Sequence, residues 1–123
     1  MSIELLNELV QTFFKHQIIM KMFHFQTKKY GAHKASDSYL DGLLSNFDKF
    51  FEVAQGKYGT MDLKSIKIEL NCIDDSTITD HLNKFISLLK EFEIRNINDT
   101  SLLNIRDEML GNAQQLIYLL RFQ

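Results

Sequence analysis

Apolar residues recur every three or four positions along four stretches of the chain, the period of a helix that packs one face against a core. Over about residues 2 to 28, Leu5, Leu9, Phe13, Met20 and Phe23 fall on one side. From about 32 to 55, Leu40, Leu43, Leu44, Phe47, Phe51 and Ala54 form a narrow stripe. A third stretch, about 77 to 94, carries Ile78, Leu82, Phe85, Leu89 and Phe92 behind Ser76 and Thr77, either of which suits an N-cap. The fourth, about 100 to 121, carries Leu102, Leu103, Leu110, Leu116, Ile117 and Leu120 behind the cap-like run Asn98-Asp99-Thr100-Ser101.

The connections choose the topology. Gly31 marks a short turn between the first two helices, and the last two are also closely spaced, so each pair is expected to form an antiparallel hairpin. About twenty residues separate the hairpins, including the alternating Ile66, Ile68, Leu70 and Cys72. A lone strand would have no partner, so this segment is expected to lie along the bundle as an extended strap. The sequence therefore predicts an all-α fold: a ferritin-like four-helix bundle over residues 1 to 123, two antiparallel hairpins joined by a long crossover.

Composition agrees. Among 123 residues there is no proline and only five glycines, so little interrupts a helix. With 45% hydrophobic and 24% charged residues the chain can build a core and stay in solution. The single cysteine, Cys72, excludes an intramolecular disulfide and suits a reducing compartment. No stretch is apolar over the roughly 20 residues that a membrane span needs, and MSIELLNELV has acids where a signal peptide has bases, so a cytoplasmic protein is expected. The net charge of −2 hides a stretch from 9 to 36 with Lys15, Lys21, Lys28, Lys29, Lys34 and no acid. Without interleaved arginine or an aromatic platform, this reads as a solvated face before a nucleic-acid site.

The candidate chemistry lies on the second helix. At 100° per residue, Asp37, Asp41, Asp48 and Glu52 lie about 60° to 120° from Leu40, bordering the packing stripe. Like charges there repel, and a bound cation would relieve them. His24, near the end of the first helix, and His33, past the turn, fall at one end of the same hairpin. Imidazoles combined with carboxylates suit iron, zinc or manganese. His16, between Phe13 and Met20 on the apolar face, reads as a core histidine bonded to a carbonyl or carboxylate, and His81 reads as a surface residue.

His33, Asp37, Asp48 and Glu52 reproduce the spacing H-x3-D-x10-D-x3-E, and here the chain resembles the miniferritins, the Dps family (DNA-binding protein from starved cells). The resemblance covers about residues 10 to 56. It implies an iron site at a two-fold interface, where His24 and His33 of one subunit face Asp48 and Glu52 of its partner with Asp37 beside them. It also implies oxidation of Fe(II) by peroxide or oxygen in a homodimer or larger homo-oligomer. HFQTKKYGAH and EVAQGKYG are similar to short miniferritin-like proteins of large DNA viruses. The chain departs from the family in an interval from His24 to His33 that is three residues shorter, in Phe25 where tryptophan is common, and in lacking a lysine-rich tail. No DNA partner is therefore expected. The competing expectation is a non-enzymatic helical bundle that dimerises or binds a protein partner.

Overall fold

The computed structural model describes residues 1–122. Four helices follow one another: α1 (Ile3–Gln26), α2 (Tyr30–Tyr58), α3 (Ile78–Lys90) and α4 (Thr100–Leu119). Their buried faces meet in one contiguous hydrophobic core. Phe13 of α1 is its hub, 1% exposed, with Phe47, Phe51 and Phe85 each set edge-on to it at centroid separations of 5.4 to 5.6 Å. Such edge-to-face pairs add about 0.5–1.5 kcal/mol each beyond the area they bury.

Side-chain contacts fix the directions. Phe13 meets Phe47 and Phe51 of α2, while His24 meets His33, so α1 and α2 are antiparallel. Asp99 at the start of α4 bonds Lys57 and Tyr58 at the end of α2, and Gly42 faces Asn112, so α2 and α4 are antiparallel as well. A methyl group at Gly42 would stand 3.2 Å from the Asn112 amide, so glycine lets these helices approach closely. His16 meets His81 and Glu8 meets Arg95, which sets α3 antiparallel to α1. The order is up, down, down, up, and the parallel α2 and α3 require a connection running the length of the bundle, as in ferritin-like wiring.

That connection is the expected strap, without strand pairing among the described residues. The Asp62 amide donates to Asn7 near the start of α1, and Cys72 donates to Gln26 at its end. Nineteen helical residues span about 29 Å and ten extended ones about 33 Å, so the strap is nearly fully stretched. Ile66 and Ile68 are half-buried, whereas Leu70 and the free thiol of Cys72 are exposed.

Several local expectations need correction. Gly31 lies inside α2; the turn is Thr27 to Lys29, tied down by Asp75, whose carboxylate accepts from the Thr27 hydroxyl and the Lys28 amide. Regular helix α3 stops at Lys90, because residues 91 to 96 form irregular turns that end at Asn96 with φ +64°, a conformation asparagine tolerates better than most residues. Neither Ser76 nor Thr77 caps α3 with its side chain; both instead donate to Asp74, and the Ser76 hydrogen bonds hold that carboxyl below its ordinary range. Asp99 occupies the N-cap of α4 but spends its carboxylate on α2. Leu5 is only partly buried, and Leu44, placed in the packing stripe by its spacing, is 40% exposed.

Candidate functional site

The tight turn between α1 and α2 brings His24 and His33 face to face. Their rings stack at 4.1 Å between centroids and are inclined by 16°. His24 Nδ1 is 2.9 Å from the His33 carbonyl oxygen, and His33 Nδ1 is 2.9 Å from that of His24. A carbonyl only accepts, so both Nδ1 atoms carry the proton, and in the neutral ring the lone pair sits on Nε2. The clasp also satisfies the His24 carbonyl, one of the acceptors that a helix end leaves without an intrahelical partner. Ser36, fully buried, braces His24 Nδ1 at 3.0 Å and donates to the His33 carbonyl.

Both rings thus present Nε2 in the same tautomer, the arrangement by which backbone carbonyls orient metal-binding histidines. Asp37 Oδ1 stands 3.9 Å from His24 Nε2. His24 is 7% exposed, and His33 and Asp37 are exposed. The three-residue turn between α1 and α2 therefore draws the two imidazoles together.

Asp48 and Glu52 do not join them within one chain. They lie further along α2, both exposed, and at 1.5 Å per residue Asp48 is about 16 Å beyond Asp37 and Glu52 about 28 Å beyond His33. Among the described residues no three His, Cys, Asp or Glu side chains of one chain are grouped to hold a metal ion. The donors on α2 nevertheless share one face: His33, Asp37, Asp41, Leu44, Asp48 and Glu52 fall within about 100° of arc. The pairs His33/Glu52 and Asp37/Asp48 also share a midpoint, between Gly42 and Leu43. Beside it runs a groove of about 290 Å³ lined by Ile18, Lys21, Asp37, Leu40, Asp41 and Leu44. Ile18 (39% exposed) and Leu44 (40%) place apolar surface there.

Sequence reasoning missed a second polar cluster. His16 is buried, 3% exposed, but its partners are neither carbonyl nor carboxylate: Nε2 is 2.7 Å from the Tyr39 hydroxyl and Nδ1 is 3.0 Å from His81 Nε2. His81 is consequently half-buried, which corrects its assignment to the surface. Burial, and then the His81 ring beside it, lowers the His16 pKa well below the ordinary value; burial followed by Lys84 and Lys15 lowers that of His81. Burial also raises the Tyr39 phenol above its ordinary range. The available signal was positional, since His81 stands three residues after Ile78 and four before Phe85, on the packed edge of α3.

The lysine-rich stretch is divided among several surroundings. Lys21 lies over Phe25 and Lys34 over Tyr30, both rings being more than 70% exposed, whereas Lys15 lines a cleft beside His16. No helix of the described residues is long and apolar enough to cross a membrane.

No curated protein and no solved structure matches the chain. A family match begins at His24 and takes in all five candidate ligands, His24, His33, Asp37, Asp48 and Glu52. The chain belongs to the Family of unknown function (DUF5856), whose sequence model matches residues 24–120.

Proposed function

We propose that two copies of this chain bind iron between them and oxidise Fe(II) there, as the resemblance to miniferritins implies. The observation that carries the reading is the reciprocal clasp of His24 and His33, which leaves the lone pair of each neutral ring on Nε2, with Asp37 3.9 Å from the Nε2 of His24. Mixed nitrogen and oxygen donors of this kind fit Fe(II), and zinc or manganese after it.

A two-fold axis crossing α2 between Gly42 and Leu43 would set His33 against Glu52 of the second copy and Asp37 against its Asp48. The exposed Ile18 and Leu44 lie near that point and would be covered by the same contact. The two carboxylates would add negative charge that favours Fe(III) over Fe(II). One peroxide takes two electrons from two Fe(II) ions and two protons from solvent, and leaves as two waters. Iron is the substrate, and the chain supplies its seat. A cytoplasmic setting belongs to this reading.

Mixing the protein with Fe(II) and peroxide tests it. The wild type is expected to raise ferric absorbance faster than buffer and faster than the Asp48→Ala/Glu52→Ala variant, and light scattering is expected to give a dimer or larger. Equal rates in a dimeric wild type would leave the competing reading, a non-enzymatic dimerising bundle, which the solvent exposure of Asp48 and Glu52 favours. A strict monomer would remove the shared site altogether.

A further inference from the structure

On the other side of α1, away from the His24 and His33 clasp, a cleft of about 370 Å³ opens between α1, the strap and α3. Its walls mix two characters. Ile19, Ile73, Phe85 and Leu88 are apolar, while Lys15, Lys84 and His81 are basic, and no acidic side chain lines it among the described residues. Neither lysine forms an ion pair among the described residues.

The buried chain of rings behind the cleft fixes which proton reaches it. The Tyr39 hydroxyl makes its hydrogen bond with His16 Nε2 in a buried setting. If His16 donated from Nε2, the phenolic proton would be left without an acceptor, at a cost of about 1–3 kcal/mol. Tyr39 therefore donates to His16 Nε2, His16 donates from Nδ1 to His81 Nε2, and the neutral His81 ring carries its own proton on Nδ1. That N–H has no protein acceptor among the described residues, and it belongs to a ring that walls the cleft.

We infer that this cleft binds a small organic anion, a carboxylate or phosphate head carried on a short apolar tail. The head would accept from His81 Nδ1–H between the Lys15 and Lys84 ammonium groups, and the tail would lie against Ile19, Phe85 and Leu88. Tyr39 and His16, held in the core, act as positioning residues that keep the His81 ring in its donating tautomer. Lys15 and Lys84 line the cleft with the His81 ring, and burial followed by these two charges disfavours its protonation, so the ring stays a neutral donor. The inference is independent of iron: none of these residues belongs to the α2 stripe.

The test is an NMR titration of the full chain with hexanoate, hexyl phosphate and 1-hexanol, following the amides of His81, Lys84 and Ile19. At least one of the two anions is expected to bind with a Kd of about 1 mM or tighter, at least about tenfold tighter than hexanol, and the tighter anion identifies the head group. Lys15→Met and Lys84→Met are each expected to weaken that anion about fivefold or more while leaving hexanol unchanged. His81→Phe, which keeps a planar ring in place, is expected to do the same, and Lys90→Met at the exposed end of α3 to change nothing. Absence of shifts for both anions up to about 10 mM, hexanol binding as tightly as the anions, or unaltered anion affinity in both lysine variants would each overturn the assignment.

Discussion

The Arg106 guanidinium of α4 donates to the Leu89 carbonyl at 2.8 Å, a shorter bond than the one that carbonyl accepts from the Phe92 amide at 3.4 Å where α3 ends. Arg106 is only 7% exposed, lies over the Phe92 ring at 5.7 Å, and pairs with Glu93 and Asp107 at the bundle surface. One planar, permanently charged group thus fastens the second hairpin at the point where α3 breaks into turns.

Arg106→Met is expected to lower stability by about 1–3 kcal/mol, because the Leu89 carbonyl keeps only the long bond from the Phe92 amide and the contacts to Glu93 and Asp107 are lost, while the stem volume is kept. Arg106→Lys keeps the charge without the fork that serves three acceptors, so its loss should fall between zero and that of the methionine variant. Urea denaturation followed by circular dichroism measures both. A methionine variant as stable as the wild type would show that water replaces the guanidinium at the end of α3.

Acid should loosen the bundle through its inner histidines before the carboxylates titrate. His16 faces Tyr39 of α2 and His81 of α3, with Lys15 and Lys84 nearby, and burial holds its folded pKa below the ordinary 6.5. Below about pH 6.5 the unfolded chain takes up protons that the folded chain refuses, so stability is complete above that pH and falls as pH drops toward the folded value. Unfolding free energies from urea melts between about pH 7.5 and 5.5 should decline accordingly. His16→Gln should be less stable at the upper pH by about 1–2 kcal/mol yet flatter across the range. A slope as steep as that of the wild type would place the titration elsewhere.

Much of the architecture was legible because periodicity and connection length are local signals. The stripe of Leu40, Leu43, Phe47 and Phe51 fixed the face of α2, and the long proline-free crossover fixed the pairing of the hairpins. What stayed hidden depends on long-range contacts or on exact turn geometry. Nothing local to His16 reveals that Tyr39 and His81 will share its protons, since the three lie on separate helices. The sequence put His24 and His33 at one end of the hairpin, but only the geometry of the three turn residues brings the rings into stacking contact. Angular counting put Leu44 in the core with Leu40, although it lies at the stripe's edge beside the groove between α1 and α2, where it stays 40% exposed.

Leu44 and Ile18 give the proposed dimer a direct test. Both are about 40% exposed in the single chain, so Leu44→Glu or Ile18→Glu should change stability by no more than about 0.5 kcal/mol when measured at concentrations where the protein is monomeric. A carboxylate near a two-fold axis meets its own copy, however, and the repulsion should shift sedimentation or light scattering from dimer to monomer. Iron oxidation should fall with it. A Leu44→Glu protein that stays dimeric would move the interface to another face.

The shared nature of the iron seat makes a stronger prediction, one that a site confined to one chain cannot meet. The variants are His33→Ala, exposed and at one end of the α2 stripe, and Asp48→Ala/Glu52→Ala, exposed and at the other. Each alone breaks both sites of a symmetric dimer, so each should oxidise Fe(II) no faster than buffer. When the two are unfolded together and refolded in equal amounts, half of the dimers should be mixed. In a mixed dimer the intact His33 of the acid-deficient chain meets the intact Asp48 and Glu52 of the other, giving one whole site and one doubly broken site. Activity should therefore return to about a quarter of the wild-type rate per chain. If each chain used its own His33 with its own acids, mixing would restore nothing. The two inactive proteins thus separate an intersubunit centre from an intrasubunit one by kinetics alone, whatever the oligomer size.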